Sequence, residues 1–194
     1  MSSATAGWRT MSAPVAILVP ALGLVTLGCA MMCSTQRVRG KGGGGMTRKL
    51  MTSEELVLAA LSGEVCRPFE PVHVQKLLFL IDARLSEALG GPYFAFQPYD
   101  YGPYDKNVYG VLESLASRGL VSIEQSAHSR RSYSLTPEGA ELGNVALSKM
   151  PPSVAEHVKV LAHFVRGLGF TQLVSAVYRA YPEMRANSVF NDQQ

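Results

Sequence analysis

The chain has 194 residues, of which 47% are hydrophobic, so it can form one folded domain, or one domain with an appendage. Its formal charge of +3 is unevenly spread, because residues 1–45 hold four basic residues and no acid. Residues 46–194 hold the other 14 of the 18 basic residues and all 15 acids, a net charge of −1. Such a balance argues against a domain that holds DNA through overall positive charge.

The three cysteines give no sign of a disulfide framework or a metal site. Cys29, Cys33 and Cys66 lack both a second ligand pair and a zinc-type spacing. No glycine-rich phosphate loop follows a predicted strand. We therefore expect no metal and no cofactor.

The N-terminal extension, residues 1–45, is apolar and then glycine-rich. Residues 13–33 are long enough to span a bilayer, and the basic residues after them would leave the domain on the cytoplasmic side of an inner membrane. Alternatively, Met46 is the true start, and residues 1–45 are upstream sequence with no role. Export by a signal sequence is the third alternative. We expect a cytoplasmic domain, with inner-membrane anchoring as the alternative.

Two helices are predicted at the start of the domain. Thr52 is an N-cap followed by acids, and Gly63 ends the first helix. The second helix runs from Val72 to Leu89, with apolar residues at helical spacing on several sides. Its remaining positions are assigned to a polar surface: His73, Gln75, Lys76, Asp82 and Arg84.

An aromatic segment and a third helix come next. Residues 94–99 alternate aromatic side chains and are predicted to be extended, and residues 101–104 are predicted to form a turn. Asp105 is the predicted N-cap of a helix from Lys106 to Arg118. We expect Phe94 and Phe96 inside the domain, with Tyr101 and Tyr104 at its rim.

The rest of the domain is predicted as a hairpin and three helices. Strands at residues 120–124 and 131–135 flank a polar tip, and Thr136-Pro137 opens a fourth helix. Two more helices follow Pro151-Pro152. The order helix, helix, helix, hairpin, helix is that of a winged helix-turn-helix. We predict a mainly α (α+β) fold: a winged-helix-like domain over residues 46–194, with a β-hairpin wing and two extra C-terminal helices.

Several segments resemble, in order and spacing, a group of small bacterial proteins. They are residues 75–80 (QKLLFL), 99–104 (YDYGPY), 112–115 (LESL) and 118–120 (RGL). Together they are similar to the YwgA-type family and, more distantly, to the Panacea domain of SocA-like antitoxins and phage-associated proteins. Tyr104 follows Gly-Pro where Panacea proteins have valine, which places the chain closer to the YwgA pattern.

The resemblance covers roughly residues 50–190 and implies a helical, winged-helix-like domain without established catalysis. The Panacea group is associated with toxin neutralisation and phage defence. The resemblance thus implies a protein partner, such as a toxin or a phage protein. The oligomeric state does not follow from it.

No residue set predicts an active site. The four histidines, His73, His128, His157 and His163, fall on separate elements or separate helix faces. Asp82, Asp100 and Asp105 could gather near the predicted turn, but capping and surface ion pairs explain them. We therefore expect a protein without enzymatic activity.

The leading hypothesis is a module that binds a partner protein and masks its functional surface. Tyrosine is enriched at binding hot spots, because it brings contact area at little entropic cost. The predicted surface consists of Tyr99, Tyr101, Tyr104, Lys106 and Asn107. The competing interpretation is that these aromatic residues only pack the third helix against the extended segment.

The alternative function is a DNA-binding transcriptional regulator. The third helix would enter the major groove while the hairpin contacts phosphates. Asn107 would contact adenine, and basic residues would contact phosphate. The predicted set is Lys106, Asn107, Arg118, Arg130 and Arg131.

Overall fold

The computed structural model describes residues 50–63, 67–125 and 131–190. In these ranges the protein is mainly helical, with two small antiparallel hairpins, which confirms the predicted fold class at that level. The helices are α1 (Ser53–Ser62), α2 (Pro71–Leu89), α3 (Asn107–Ser117), α4 (Pro137–Ser148), α5 (Pro152–Gly167) and α6 (Phe170–Ala180). The strands are β1 (Gln97–Tyr99), β2 (Gly102–Tyr104), β3 (Val121–Gln125) and β4 (Arg131–Leu135), and a short 3-10 helix spans Pro182–Arg185.

Some predicted features lie outside the described residues. They are the extension of residues 1–45 with its apolar stretch and its boundary, Cys66, and the hairpin tip at residues 126–130. Of the helices in the described ranges, none is both long and apolar enough to cross a membrane.

The two predicted hydroxyl caps are confirmed. Thr52 accepts a hydrogen bond from the Glu55 backbone N–H (3.1 Å), and the Glu55 carboxylate accepts one from the Thr52 N–H (2.8 Å). This reciprocal pair fixes the start of α1. Thr136 likewise accepts from the N–H of Gly139 (3.1 Å), with Pro137 in the first position of α4.

α4 packs closely on α1 because it carries glycine at the contact. A Cβ atom on Gly143 would lie 2.6 Å from the carbonyl oxygen of Leu58 and 2.8 Å from Cβ of Ser62. Gly139, one turn earlier, packs in the same way against the carbonyl oxygen of Leu120. Only a residue without a side chain allows backbone groups to approach this closely.

α2 is central to the core. Its apolar residues Val74, Leu77, Leu78 and Ile81 are fully buried, as the helical spacing predicts. α5 and α6 cover it with apolar faces that the sequence also predicts: Val158, Leu161, Val165, Leu173 and Val174. Burial of such side chains is the main stabilising term of the fold.

The first hairpin corrects the predicted turn. β1 and β2 pair in antiparallel register, with Gln97 opposite Tyr104 and Tyr99 opposite Gly102. The chain therefore turns at residues 100–101, and Gly102, predicted in the turn, belongs to a strand. Pro98 and Pro103 lie opposite each other, so the two positions without an N–H donor coincide.

The second hairpin forms where it is predicted. β3 and β4 pair from Val121 opposite Leu135 to Gln125 opposite Arg131. Phe69, in the segment before α2, exchanges two backbone hydrogen bonds with Tyr133 of β4, at 2.7 and 2.8 Å. This bridge ties the hairpin to the entry of α2.

Candidate functional site

The polar residues of α2 face inward. The predicted polar surface is wrong for four of its five members, because only Arg84 is exposed and the rest are buried: His73, Gln75, Lys76 and Asp82. Residues 93–105 fold over this side of the helix and provide hydrogen-bond partners for Gln75, Lys76 and Asp82 in place of water. His73 instead bonds the carbonyl oxygen of Leu168 (3.0 Å). The polar side of α2 therefore positions the aromatic segment.

The carboxylate of Asp82 holds the beginning of that segment. It accepts hydrogen bonds from the backbone N–H groups of Tyr93 (3.1 Å) and Phe94 (2.9 Å). Bonds from a backbone amide to a charged acceptor are stronger than neutral ones. The side chain of Phe94 is consequently fixed inside the domain, with Phe96 half-buried beside it, as predicted.

Gln75 and Asp105 hold the end of the segment. The amide of Gln75 donates to the carbonyl oxygen of Asp105 (2.9 Å) and accepts from its N–H (3.1 Å). The carboxylate of Asp105 accepts from the N–H groups of Ala95 (2.7 Å) and Asn107 (2.8 Å). The second of these bonds satisfies the first N–H of α3, although Lys106 and not the predicted Asp105 occupies the N-cap position.

Lys76 is a buried cation at the same site. The residue is only 3% exposed, and Nζ donates a hydrogen bond to the carbonyl oxygen of Pro103 (3.0 Å). It forms no salt bridge with any carboxylate in the part of the chain that the structure describes. Burial lowers the pKa of Lys76 to about 7, because desolvation penalises the charged ammonium.

An open cleft of about 650 Å³ lies over Lys76, between the first hairpin and the beginnings of α2 and α6. We call it the tyrosine cleft and define it by Lys76, Tyr99, Tyr101, Tyr104, Tyr109 and Phe170. Glu70 and Asp100 also line it. Apart from these charged groups, the walls are mostly aromatic and apolar.

The three predicted tyrosines come together in this cleft. Tyr99 is 52% exposed and Tyr101 45% exposed. The rings of Tyr99 and Tyr104 stack with their centroids 5.0 Å apart, and Tyr101 meets Phe170 edge-on at 5.2 Å. Burial raises the pKa of Tyr109, so its phenol is neutral at physiological pH. The cleft thus offers aromatic surface on a hairpin that is already fixed in position.

Lys106 and Asn107, the other two predicted partner-binding residues, lie on an adjoining surface. Both are exposed at the start of α3 and line a shallower depression together with Glu54 and Glu113. Tyr104 belongs to this depression and to the cleft. The five residues of the predicted partner surface are therefore neighbours across Tyr104.

Two of the five residues predicted for DNA contact are paired with acids. Arg118 pairs with Glu54 (3.0 Å), and Arg131 lies 3.8 Å from Glu113. Arg130 lies outside the described residues. Paired arginines contribute less attraction for phosphate than free ones, and the acids beside them repel it.

The described histidines do not converge. His73 is buried, with Nε2 3.0 Å from the carbonyl oxygen of Leu168, whereas His157 and His163 are exposed on α5. His128 lies outside the described ranges. Among the described residues, no group of three or more His, Cys, Asp or Glu could hold a metal ion.

No protein-family model matches this chain, and a search of curated proteins finds no match. The resemblance to the YwgA-type and Panacea groups therefore stays a prediction based on the sequence motifs.

Sequence reasoning missed Lys76 as a site residue. A signal was present, since Lys76 is followed directly by four apolar residues (LLFL) on a helix predicted to be buried on most sides. On such a helix little exposed surface is left for a lysine, so the pattern favours burial of Lys76. Phe170 was also missed, because it lies 61 residues or more from the tyrosines of the cleft and only the packing of α6 brings it there.

Proposed function

We propose that this protein is a non-enzymatic protein-binding module of antitoxin-like or phage-associated type, which masks a functional surface of a partner protein. The observation that carries this proposal is the tyrosine cleft. Its exposed rings lie on a hairpin that buried polar residues of α2 hold in place. Such a surface loses little conformational freedom on binding, which is what a binding hot spot requires.

We further propose that α1 to α4 form a winged-helix arrangement, with β3 and β4 as the wing. The element order supports this, as does the bridge between Phe69 and Tyr133, which joins the segment between the first two helices to the wing. The first hairpin, between α2 and α3, is then an insertion that carries the binding surface.

DNA binding is the second candidate, favoured by one observation. Lys106 and Asn107 are both exposed at the start of α3, where a recognition helix contacts bases. Against it, α3 carries Glu113 on the same depression, and Arg118 is paired. Dependence on salt separates the two candidates, because counterion release makes DNA binding fall steeply with salt.

The test is affinity capture with the full chain, eluted in steps of increasing salt. We expect one protein to be retained at high salt and to be lost from the double variant Tyr101→Ala/Tyr104→Ala. Phe164→Ala is the matched control, since Phe164 is an exposed aromatic residue that does not line the cleft. Equal retention by all three proteins would overturn the proposal, and recovery of nucleic acid alone at moderate salt would support the second candidate.

A further inference from the structure

Burial of the Lys76 ammonium costs free energy of desolvation, which a merely supporting role for the hairpin does not require. Because Lys76 as a residue is only 3% exposed, its ammonium loses most of its hydration, and one carbonyl oxygen at 3.0 Å replaces only part of it. An apolar side chain of similar length, such as methionine, would fill the same volume without that cost. The charge is therefore the feature to explain.

We propose that the tyrosine cleft recognises a carboxylate, and that an Asp or Glu side chain of the partner protein enters it and pairs with Lys76. This inference rests on the protein-binding function proposed above and names the chemistry of the bound segment. The entering carboxylate would supply the counter-charge that no described residue provides.

The walls of the cleft select for a single negative charge next to apolar groups. Tyr99, Tyr101 and Phe170 offer ring faces and edges to the rest of the bound segment. Glu70 and Asp100 line the cleft and would repel a dianion such as phosphate more strongly than a carboxylate. One buried ammonium matches one carboxylate.

Among the described residues that line the cleft, the positive charge comes from Lys76. Tyr104 from the hairpin and Tyr109 from α3 line the cleft together with Lys76, and both are phenols. Gly102 separates Lys76 from Tyr178 of α6, since a Cβ at Gly102 would lie 3.3 Å from the Tyr178 ring and 3.5 Å from Nζ of Lys76. A side chain at position 102 would therefore crowd the end of the Lys76 side chain, which glycine avoids.

The proposal has a consequence for pH. Only protonated Lys76 attracts a carboxylate, and its pKa of about 7 places the loss of that proton within reach of ordinary buffers. Affinity should be nearly constant between pH 5.5 and pH 6.5 and should then fall as pH rises. From pH 6 to pH 8.5 the proton equilibrium alone predicts a loss of about thirtyfold.

The test uses phenylacetate, whose ring stands in for the apolar neighbours and whose carboxylate stands in for the acidic side chain. The full chain is labelled with ¹³C at lysine Cε, and the Lys76 signal is titrated with pH by NMR. We expect saturating phenylacetate to raise the Lys76 pKa from about 7 to about 8 or above, because an opposite charge favours the ammonium. Phenylacetamide, the neutral analogue, should leave it unchanged.

Two variants control for a structural role. Lys76→Met should remain folded and bind phenylacetate at least about tenfold more weakly, as followed by the ring signals of Tyr99 and Tyr101. Lys159→Met removes an exposed lysine of α5 that does not line the cleft and should bind as the original protein does. Equal binding by Lys76→Met would overturn the proposal.

The last measurement repeats the pH titration of Lys76 with inorganic phosphate in place of phenylacetate. If phosphate raises the Lys76 pKa as much as phenylacetate does, the cleft is a general anion site and the carboxylate assignment is wrong. If phenylacetate leaves the pKa unchanged while affinity capture still yields a partner that depends on the tyrosines, protein binding stands and only the carboxylate assignment falls. A shift with phenylacetate alone supports the carboxylate site even before a partner is found.

Discussion

In the contact between α1 and α4, backbone meets backbone, and Gly143 leaves no room for a side chain. In the contact between α2 and residues 93–105, polar side chains meet backbone groups: Lys76 donates a hydrogen bond, Asp82 accepts from two N–H groups, and Gln75 both donates and accepts. The first contact fixes the fold by shape. The second fixes the site by hydrogen bonding, and it alone retains a charge without a counter-charge among the described residues.

The largest effect should come from filling the contact of α1 with α4. Gly143→Leu would require the helices to separate, because even Cβ would lie 2.6 Å from the carbonyl oxygen of Leu58. We expect the free energy of unfolding to fall by about 3 kcal/mol or more, measured by urea denaturation. Gly110→Ala is the control, since a Cβ on this α3 residue meets nothing within 4 Å, and it should stabilise the protein by about 0.5 to 1 kcal/mol. A neutral Gly143→Leu would mean that the helices are not packed this closely.

The next effect should come from the polar contact. Gln75→Leu leaves the buried N–H and carbonyl groups of Asp105 without their partners. We expect a loss of about 2 to 3 kcal/mol in urea denaturation and faster hydrogen exchange at the Asp105 amide. Gln125→Leu replaces an exposed glutamine and should change stability by less than about 0.5 kcal/mol. Similar effects of the two variants would contradict an anchoring role for Gln75.

The helices of the shape-based contact were largely predictable from sequence, whereas their close packing at Gly143 was not predicted. Helical spacing located the apolar face of α2, and hydroxyl caps located the starts of α1 and α4, because these signals lie within a few residues of the features they predict. The polar contact was not predictable in the same way. Gln75 looks like a surface residue until Asp105, 30 positions later, is known to lie over it.

The turn of the first hairpin shows the same limit on a smaller scale. Gly102-Pro103 is a typical turn sequence. Pairing of Pro98 with Pro103 nevertheless extends the strands past it and moves the turn to residues 100–101. Pairing is a property of two segments, so composition within one segment could not place the turn. The tyrosines of the site were predictable because each is close in sequence to the others.

The third prediction concerns stability and pH. The pKa of Lys76 is about 7 in the folded protein and near 10.4 in the unfolded chain, so the unfolded chain binds more protons between these values. Stability should therefore rise with pH, by about 2 kcal/mol from pH 7 to pH 9. Above pH 10 the trend should reverse, because burial raises the pKa of Tyr93 and Tyr133.

Comparison with Lys76→Met isolates this contribution from other groups that titrate in the same range. The unfolding free energy of the original protein, minus that of Lys76→Met, should rise steadily by about 2 kcal/mol from pH 7 to pH 9, as measured by urea denaturation at each pH. A constant difference would mean that Lys76 keeps an ordinary pKa in the folded protein. The charge would then carry no cost, and the reason for expecting a carboxylate ligand would be removed.

The smallest effect is expected on the surface that the DNA-binding alternative uses. Arg118 pairs with Glu54 at 3.0 Å, but its side chain is 50% exposed, and such pairs contribute between about 0 and 1 kcal/mol. Arg118→Ala should therefore change stability by less than about 1 kcal/mol and leave capture of a protein partner unchanged, in contrast to Tyr101→Ala/Tyr104→Ala. If Arg118→Ala instead weakens binding and flattens its salt dependence, the contact surface is α3 and the wing. The polar contact of α2 would then serve only to hold the hairpin in place.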